Sequence, residues 1–504
     1  MAPRIMIVGG AGFVGRHLAE GLLGRPGGCE LLIIDTEAAE LQGRPFLRCE
    51  QASFLDLGAM EKLVSDFQPQ LVIMLASVGM SGGAMLSESC ITINVGGTAA
   101  LMDLCAQNDV SCFIYTSSYN AVFGGQELVD GDESIPIFPS HLHSDRYSAS
   151  KGAAERLVRQ ANGRPTKSGT MRTACLRPAA IYGVGELRHL PRIVLHIDSG
   201  LFFFRIGEAV VDWVEVGNLV LAYGLLVDKL LTCDDATVPA GQVYCISDGT
   251  PIQNFEFLRP LCLARGKSYP SLVLPCSLLL YVALLLEKLY LLSKALGCAV
   301  QPLLTRAEVL KVGVTHHFSM RKAERELGYQ PRTTSTQGAQ KLAQHYRSTL
   351  QNNAFFDLPG WLWWFCICLG LALTGVVAFA QPGGALLTLP PMWAVNWLAL
   401  AIFRSQRKLQ VLFWAAWAAH AAETIYAVML ARSLGVTHTL PLWAVQTLLL
   451  GFPSVQLLRG RKTLMEKIAA ENAAAAVGGV AGVGGVGGVE GVLSLLATAP
   501  APVR

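Results

Sequence analysis

Val8-Gly9-Gly10-Ala11-Gly12-Phe13-Val14-Gly15 follows the apolar run Arg4-Ile5-Met6-Ile7-Val8 and opens a helical pattern that continues through Leu22. In a strand–turn–helix of this kind, Gly9 and Gly12 allow a tight turn and a close approach of backbone to a pyrophosphate. Gly15 lets the helix close on the sheet. The pyrophosphate then meets the free amide groups at the helix N-terminus. Glycine triplets also occur in plain turns, so the context decides. Here a second strand, Leu31-Leu32-Ile33-Ile34, ends in Asp35, 20 residues past Gly15. A carboxylate at that distance holds the adenosine ribose hydroxyls and repels a 2′-phosphate, which makes NAD the expected cofactor rather than NADP.

Short apolar strands alternate with helical stretches beyond this point: Phe46-Leu47-Arg48-Cys49, Leu71-Val72-Ile73-Met74-Leu75 and Cys112-Phe113-Ile114-Tyr115. Such alternation predicts a Rossmann-type doubly wound parallel sheet, an α/β fold. The last strand ends in Thr116-Ser117-Ser118, on the carboxyl edge where ligands bind in these sheets. Downstream, Tyr147-Ser148-Ala149-Ser150-Lys151 places a phenol and an ammonium one helical turn apart on one face. A free tyrosine titrates near ~10, and a nearby ammonium stabilises its phenolate. Beside a dinucleotide, that pair can move a proton while a hydride moves. Alone, a Tyr-x-x-x-Lys match is an ordinary solvated helix face.

Composition divides the 504-residue chain. It is 52% hydrophobic and 15% charged, and the charge deficit is concentrated after residue 355. A net charge of +3 without a basic stripe argues against nucleic acid as a partner. Thirteen cysteines lack zinc-like pairing and suit a reducing compartment. Cys366 and Cys368, in an apolar run, read as lipid-facing or core thiols. His141, His143, His316 and His317 lack ligand-like company and read as loop and core residues, so no metal is expected. The strand starting at Arg4 leaves no room for a signal peptide.

The stretch Leu272 to Leu292 is apolar apart from Glu287-Lys288, and reads equally as a core helix or as one lying at a membrane surface. After Asp357 no charge appears until Arg404. Trp361 through Phe379 is long enough to span, with Trp361, Trp363 and Trp364 as an interfacial belt. Leu387 through Phe403, begun by Pro390-Pro391, is marginal. Leu409 through Ala431 carries only Glu423, and Leu440 through Leu458 carries no charge. Basic clusters at Arg404/Arg407/Lys408 and Arg459/Arg461/Lys462/Lys467 favour four spans with the catalytic domain in the cytosol, over three spans with the C-terminus across the membrane. His420 and Glu423 share a helix face at lipid depth and are expected to hydrogen-bond neighbouring helices. From Glu471 the Ala/Gly/Val-rich tail is expected to be disordered.

The glycine loop, Asp35, Asn94-Val95-Gly96-Gly97-Thr98, Thr116-Ser117-Ser118, Tyr147/Lys151 and Leu176-Arg177-Pro178 together resemble the extended short-chain dehydrogenase/reductases. Val211-Asp212-Trp213-Val214-Glu215-Val216-Gly217-Asn218-Leu219-Val220, Tyr244-Cys245-Ile246-Ser247-Asp248-Gly249 and Asn254-Phe255-Glu256-Phe257 resemble the 3β-hydroxysteroid dehydrogenase branch. Leu304-Thr305-Arg306-Ala307-Glu308-Val309, Gly313-Val314-Thr315-His316-His317-Phe318-Ser319, Lys322-Ala323 and Glu326-Leu327-Gly328-Tyr329 are similar to short-chain dehydrogenase/reductase family 42E. The likeness runs from about Arg4 to about Arg347. It departs at Glu215-Val216-Gly217, where steroid dehydrogenases usually carry a histidine and an acidic residue. The segment with His420-Ala421-Ala422-Glu423, Trp443-Ala444-Val445-Gln446-Thr447 and Gly451-Phe452-Pro453-Ser454 resembles transmembrane protein 254-like proteins.

The resemblance implies roles. Tyr147 is the general base in oxidation and the acid in reduction. Lys151 lowers its pKa and bonds the nicotinamide ribose, and Ser118 orients the substrate oxygen. Gly9, Gly12, Phe13, Val14, Gly15 and Asp35 hold the nucleotide. Asp56 and Leu57 lie by the adenine, Ala76, Ser77 and Asn94 line the cleft, and Pro178 abuts the nicotinamide. The implied substrate is a sterol or steroid 3β-hydroxyl or the matching ketone. Alternatives are an epimerase or reductase acting on a nucleotide sugar or another alcohol, and a non-catalytic NAD-binding scaffold. The implied partners are the sterol-like substrate and the lipid bilayer, and a homodimer stays open. The expected organisation is a Rossmann domain over 1–183, a substrate lobe over 184–354 with some return to the sheet, an all-α transmembrane domain over 355–460 and a tail over 461–504. The expected membrane is the endoplasmic reticulum.

Overall fold

A computed structural model describes residues 2–39, 43–198, 200–233, 238–295, 302–348, 356–359, 361–381, 384, 387, 390 and 392–481. The chain divides into two compact units, Met1–Tyr346 and Arg347–Arg504.

The first unit is built on a parallel sheet. Its strands are β1 (Arg4–Val8), β2 (Glu30–Asp35), β3 (Leu47–Gln51), β4 (Leu71–Met74), β5 (Cys112–Thr116), β6 (Thr170–Pro178) and β7 (Val243–Ile246). Their spatial order is β7-β6-β5-β4-β1-β2-β3, with all pairings parallel. Both faces are buried, so the central strands read as continuous apolar runs. Ile5 and Ile7 face α1 (Phe13–Leu23), whereas Met6 and Val8 face α2 (Leu57–Phe67) and α3 (Thr98–Gln107). The helix carrying Tyr147, α4 (Arg146–Gln160), closes the second face through Ala154 and Val158. The strand–helix alternation does not end near residue 183. An apolar stripe of Leu219, Ala222, Tyr223 and Leu226 seats α5 (Val216–Thr232) beside α1, and β7 then extends the sheet.

Around this sheet, Tyr182, Leu190, Phe257, Leu261 and Leu342 form one smaller core, and Ile206, Phe255, Leu279, Ala283 and Val309 form another. Leu272–Leu274, expected to be helical, is a strand paired with Phe204–Ile206. Pro275 explains the boundary, because a residue before proline is pushed out of the helical region. The helix α6 (Cys276–Ala295) follows. It buries only Leu279, Ala283, Glu287 and Tyr290, a strip one residue wide. Its other faces expose Tyr281, Leu285, Leu289 and Leu292. Glu287 is turned inward: its carboxylate accepts from Arg306 N and Nε, both at 2.7 Å. Next comes α7 (Arg306–Gly313), started by a capping box. Glu308 N donates to Thr305 Oγ1 at 3.2 Å, and Thr305 N donates to Glu308 Oε2 at 2.9 Å.

The second unit is helical. It comprises α8 (Trp361–Phe379), α9 (Met392–Phe403), α10 (Gln406–Ser433), α11 (Leu440–Leu450) and α12 (Phe452–Ala481). By length and composition α10 could cross a membrane, and so could α6 in the first unit. Ser89–Gln107 is also apolar enough, but half of it is buried in the first unit. The second expected span is reduced to the 12 residues of α9, about 18 Å at 1.5 Å per residue. Pro391 and most of the residues just before it lie outside the described residues.

Leu440 through Leu458, expected as one straight span, is broken. Gly451 adopts φ +63°, and a Cβ there would lie 2.4 Å from Glu423 Oε2 and 2.9 Å from His420 Nε2. His420 Nδ1 donates to the Leu448 carbonyl at 3.0 Å, so the imidazole does bond a neighbouring helix. The tail departs from expectation too: the helix continues to Ala481, carried by alanines, which are strong helix formers. Residues 482–504 lie outside the described residues.

Candidate active site

Asp145 starts α4 by accepting from Ser148 N and Ser148 Oγ, each at 2.8 Å. Tyr147 therefore sits in the first helical turn and Lys151 one turn later, 7% and 2% exposed. The Lys151 ammonium donates to the Thr116 carbonyl at 2.8 Å, which anchors α4 to the carboxyl end of β5. One turn further, Glu155 is gripped by Arg177 from β6, with Nε–Oε2 at 2.9 Å and Nη2–Oε1 at 2.6 Å. Ser117 Oγ adds a third bond to Oε2 at 2.7 Å. The helix is thus fixed to two adjacent strands through charged groups buried in the sheet.

Ser118 follows β5 directly. Its hydroxyl oxygen accepts from Asn120 Nδ2 at 2.8 Å and Asn120 N at 3.3 Å. With its lone pairs engaged, its own proton is free to be donated outward. Burial pushes the Tyr147 phenol up, reinforced by Asp145 and Cys90 and opposed by Arg188 and a bond from Ser77. Burial also pulls Lys151 down to about 7. The expected lowering of the phenol by Lys151 is therefore not found in the protein alone. The ammonium is directed at Thr116 and stands 5.8 Å from the Tyr147 ring centroid.

The glycine loop forms a cradle. Gly9 has φ +89°, and a Cβ on it would lie 2.6 Å from Ala76 N. Gly15 is pressed on Gly10, where a Cβ would lie 2.5 Å from Gly10 Cα. Gly12, by contrast, faces only the Gly9 carbonyl at 3.4 Å, and it begins α1 without any side-chain cap. Phe13 and Val14 occupy the first helical turn behind it. Asp35 accepts from Ala11 N at 3.0 Å and Glu37 N at 3.2 Å, tying the end of β2 to the same loop. An open backbone cradle at an uncapped helix start, with a carboxylate beside it, fits a dinucleotide.

The remaining expected residues divide. Ala76 and Ser77 follow β4 at the carboxyl edge, and Pro178 ends β6 there. Asp56 caps α2 by accepting from Ala59 N at 3.1 Å, and Leu57 beside it is exposed. Asn94, expected at the cofactor, braces the segment after β4. Its amide bonds Val78 N at 2.9 Å, Val78 O at 3.0 Å and Ser150 Oγ at 2.9 Å, which uses both of its N–H groups. Among the histidines, His316 is in the core, stacked on Tyr119 and Phe123 with ring centroids 4.8 and 4.2 Å away.

Sequence reasoning passed over Glu155 and Lys311. An arginine in the apolar strand Ala174-Cys175-Leu176-Arg177 calls for a buried acid, and Glu155, four residues past Lys151, was the readable partner. Lys311 lies between two quoted motifs, and its proximity to Tyr147 is a tertiary fact.

A dinucleotide cradle with serine, tyrosine and lysine at the carboxyl edge of a parallel sheet defines an extended short-chain dehydrogenase/reductase. Within that class the chain belongs to the 3-beta hydroxysteroid dehydrogenase/isomerase family, whose profile matches residues 6–276. Short-chain dehydrogenase/reductase family 42E member 1 of Danio rerio is 44% identical over 333 residues, covering 65% of this chain and 84% of the relative. The 3 beta-hydroxysteroid dehydrogenase/Delta 5-->4-isomerase of Mycobacterium tuberculosis is 30% identical over 354 residues, covering 69% and 91%. In fold, the dTDP-glucose 4,6-dehydratase of Bacillus anthracis, solved in complex with NAD, matches with TM-score 0.51 at 18% identity, covering 68% of this chain and 96% of that one. The transmembrane protein 254 profile matches residues 362–460. The resemblances read from the sequence therefore stand.

Proposed function

We propose that this oxidoreductase transfers a hydride between NAD and the 3β-hydroxyl of a sterol or steroid, or the matching ketone, while held at a membrane by its C-terminal unit. The observation that carries the reading is the burial of Tyr147 and Lys151 beside Ser118 at the carboxyl edge of β5. In oxidation, Ser118 donates to the substrate oxygen and fixes it near Tyr147, and the Tyr147 oxygen takes the hydroxyl proton. Lys151 holds the helix in register through Thr116 and would offer its remaining protons to the nicotinamide ribose. NAD, when bound, supplies the hydride acceptor. Gly9, Gly12, Phe13, Val14, Gly15 and Asp35 would hold it, with Asp56, Leu57, Ala76, Ser77 and Pro178 along its length. The exposed apolar faces of α6 support a lobe that touches lipid, through which a sterol would reach the site without crossing water. The basic clusters favour a catalytic unit in the cytosol, and the endoplasmic reticulum is the proposed membrane.

The test is NADH formation by the detergent-solubilised full chain against a panel of sterols, other alcohols and nucleotide sugars. Tyr147→Phe should reduce turnover by about 10²–10⁴-fold and leave NAD binding nearly intact. Retained turnover in that variant would overturn the acid–base assignment. Turnover of nucleotide sugars but of no sterol would overturn the substrate.

A further inference from the structure

Tyr147 faces a second ammonium, from a distant part of the chain. Lys311, in the last turn of α7, places Nζ 5.6 Å from the Tyr147 ring centroid, slightly nearer than Lys151 at 5.8 Å. It is half-buried, and among the described residues no hydrogen-bond acceptor or ion-pair partner meets its ammonium. The two carboxylates that act on it are engaged elsewhere. Asp145 spends its two oxygens on Ser148 at the start of α4. Glu308 gives one oxygen to Thr305 and the other to Arg192 at 2.7 Å and Gly82 N at 3.3 Å.

Partly exposed and with no acceptor among the described residues of the first unit holding it, the Lys311 ammonium can turn toward the phenol. We propose that Lys311 is a positioning residue for the reaction: its unpaired ammonium stabilises the Tyr147 phenolate as the proton changes hands. This rests on the reading of Tyr147 as the acid–base group.

Two other cations lie near the phenol. Lys151 is tied to Thr116, and Arg188, which also acts on Tyr147, contacts the Met80 sulfur at 3.9 Å. His143, His189 and His316 face Lys311 from the loop before α4, the loop after β6 and the strand after α7. Burial drives all three downward, Lys311 adds to that, and they are neutral near pH 7. Asp145 and Cys90 oppose ionisation of the phenol, so a cation is needed to balance them.

The experiment uses the detergent-solubilised full chain carrying Lys311→Met, with Lys311→Gln as a second neutral variant and Lys311→Arg as the conservative one. The Tyr147 phenol is titrated in the cofactor-free protein by NMR of isotope-labelled tyrosine, with Tyr147→Phe assigning the signal. The pH profile of alcohol oxidation is measured in parallel. Removing an opposite charge at this range should raise the phenol titration and the profile's limb by about one pH unit. That corresponds to about tenfold slower oxidation at neutral pH, with NAD binding unchanged and most of the rate restored by Lys311→Arg. A purely structural lysine would lower thermal stability and move neither titration. An unmoved phenol titration in the neutral variants would overturn the proposal. Survival of turnover in Tyr147→Phe would instead overturn the underlying assignment, so the two failures are distinguishable.

Discussion

Arg177 and Glu155 hold each other through two parallel bonds inside the sheet, with neither side chain more than 2% exposed. Breaking a buried pair strands a charge without solvent, and the usual cost is about 3–5 kcal/mol. Glu155→Gln should therefore lower thermal stability strongly, and turnover with it, because α4 loses its fastening to β6. Replacing both partners, as in Glu155→Gln with Arg177→Met, should recover part of the loss. A double variant no more stable than the single would count against the pair as the cause, and thermal unfolding measures both.

Lys151 offers a different balance. Its titration is pulled down to about 7 in the folded chain, against ~10.4 for a free lysine. A base depressed in this way weakens the fold as pH falls through the window between those values. Lys151→Met should lower turnover by about 10²-fold or more while leaving stability at neutral pH equal to or above that of the parent. Turnover assays and thermal unfolding together read this opposition. A variant that is both inactive and unstable would show that the Thr116 bond outweighs the burial.

Gly9 leaves no space for a side chain. At φ +89° and with Ala76 N where a Cβ would go, Gly9→Ala combines left-handed strain of about 1–2 kcal/mol with a backbone clash. The loop must shift, so NAD affinity should fall by about tenfold or more. Cofactor titration of the variant measures this, and unchanged affinity would show that the loop does not carry the nucleotide.

Asp212 predicts a pH dependence. Burial raises its carboxyl to about 7, despite the bond it accepts from Phe318 N at 2.7 Å. An acid raised in the fold destabilises it progressively as pH climbs from about 4 to about 7, by at most ~1.4 kcal/mol per unit. Asp212→Asn keeps an acceptor for Phe318 N and removes the titration. The loss of thermal stability between about pH 5 and about pH 8 should be smaller than in the parent. Asp248, raised to about 6 by the same cause, would leave a residual slope.

The sheet was readable because its strands are buried on both faces and its helices start with visible signals. The glycine loop marks the start of the first helix, and Tyr147/Lys151 follows from helical spacing. What escaped depended on contacts distant in sequence. Nothing local shows that Lys151 turns to Thr116, that Asn94 is spent on Val78 and Ser150, or that Lys311 comes back to Tyr147. The expected return to the sheet is made by Val216–Thr232 and Val243–Ile246, two segments that the irregular stretches around them kept from being named. Leu440 through Leu458 misled for a simpler reason: hydropathy counts apolar residues but ignores the corner that Gly451 can make.

The clasp between Glu287 and Arg306 has one more consequence. It keys the rotation of its helix, since a roll by a single residue, about 100°, would tear the carboxylate from its partner. The same side chains must then point outward in every molecule. Environment-sensitive labels walked along Cys276–Ala295 should trace a wave of 3.6-residue period, with shielded positions near Leu279, Ala283, Glu287 and Tyr290. Cutting the clasp with Glu287→Gln should flatten that wave.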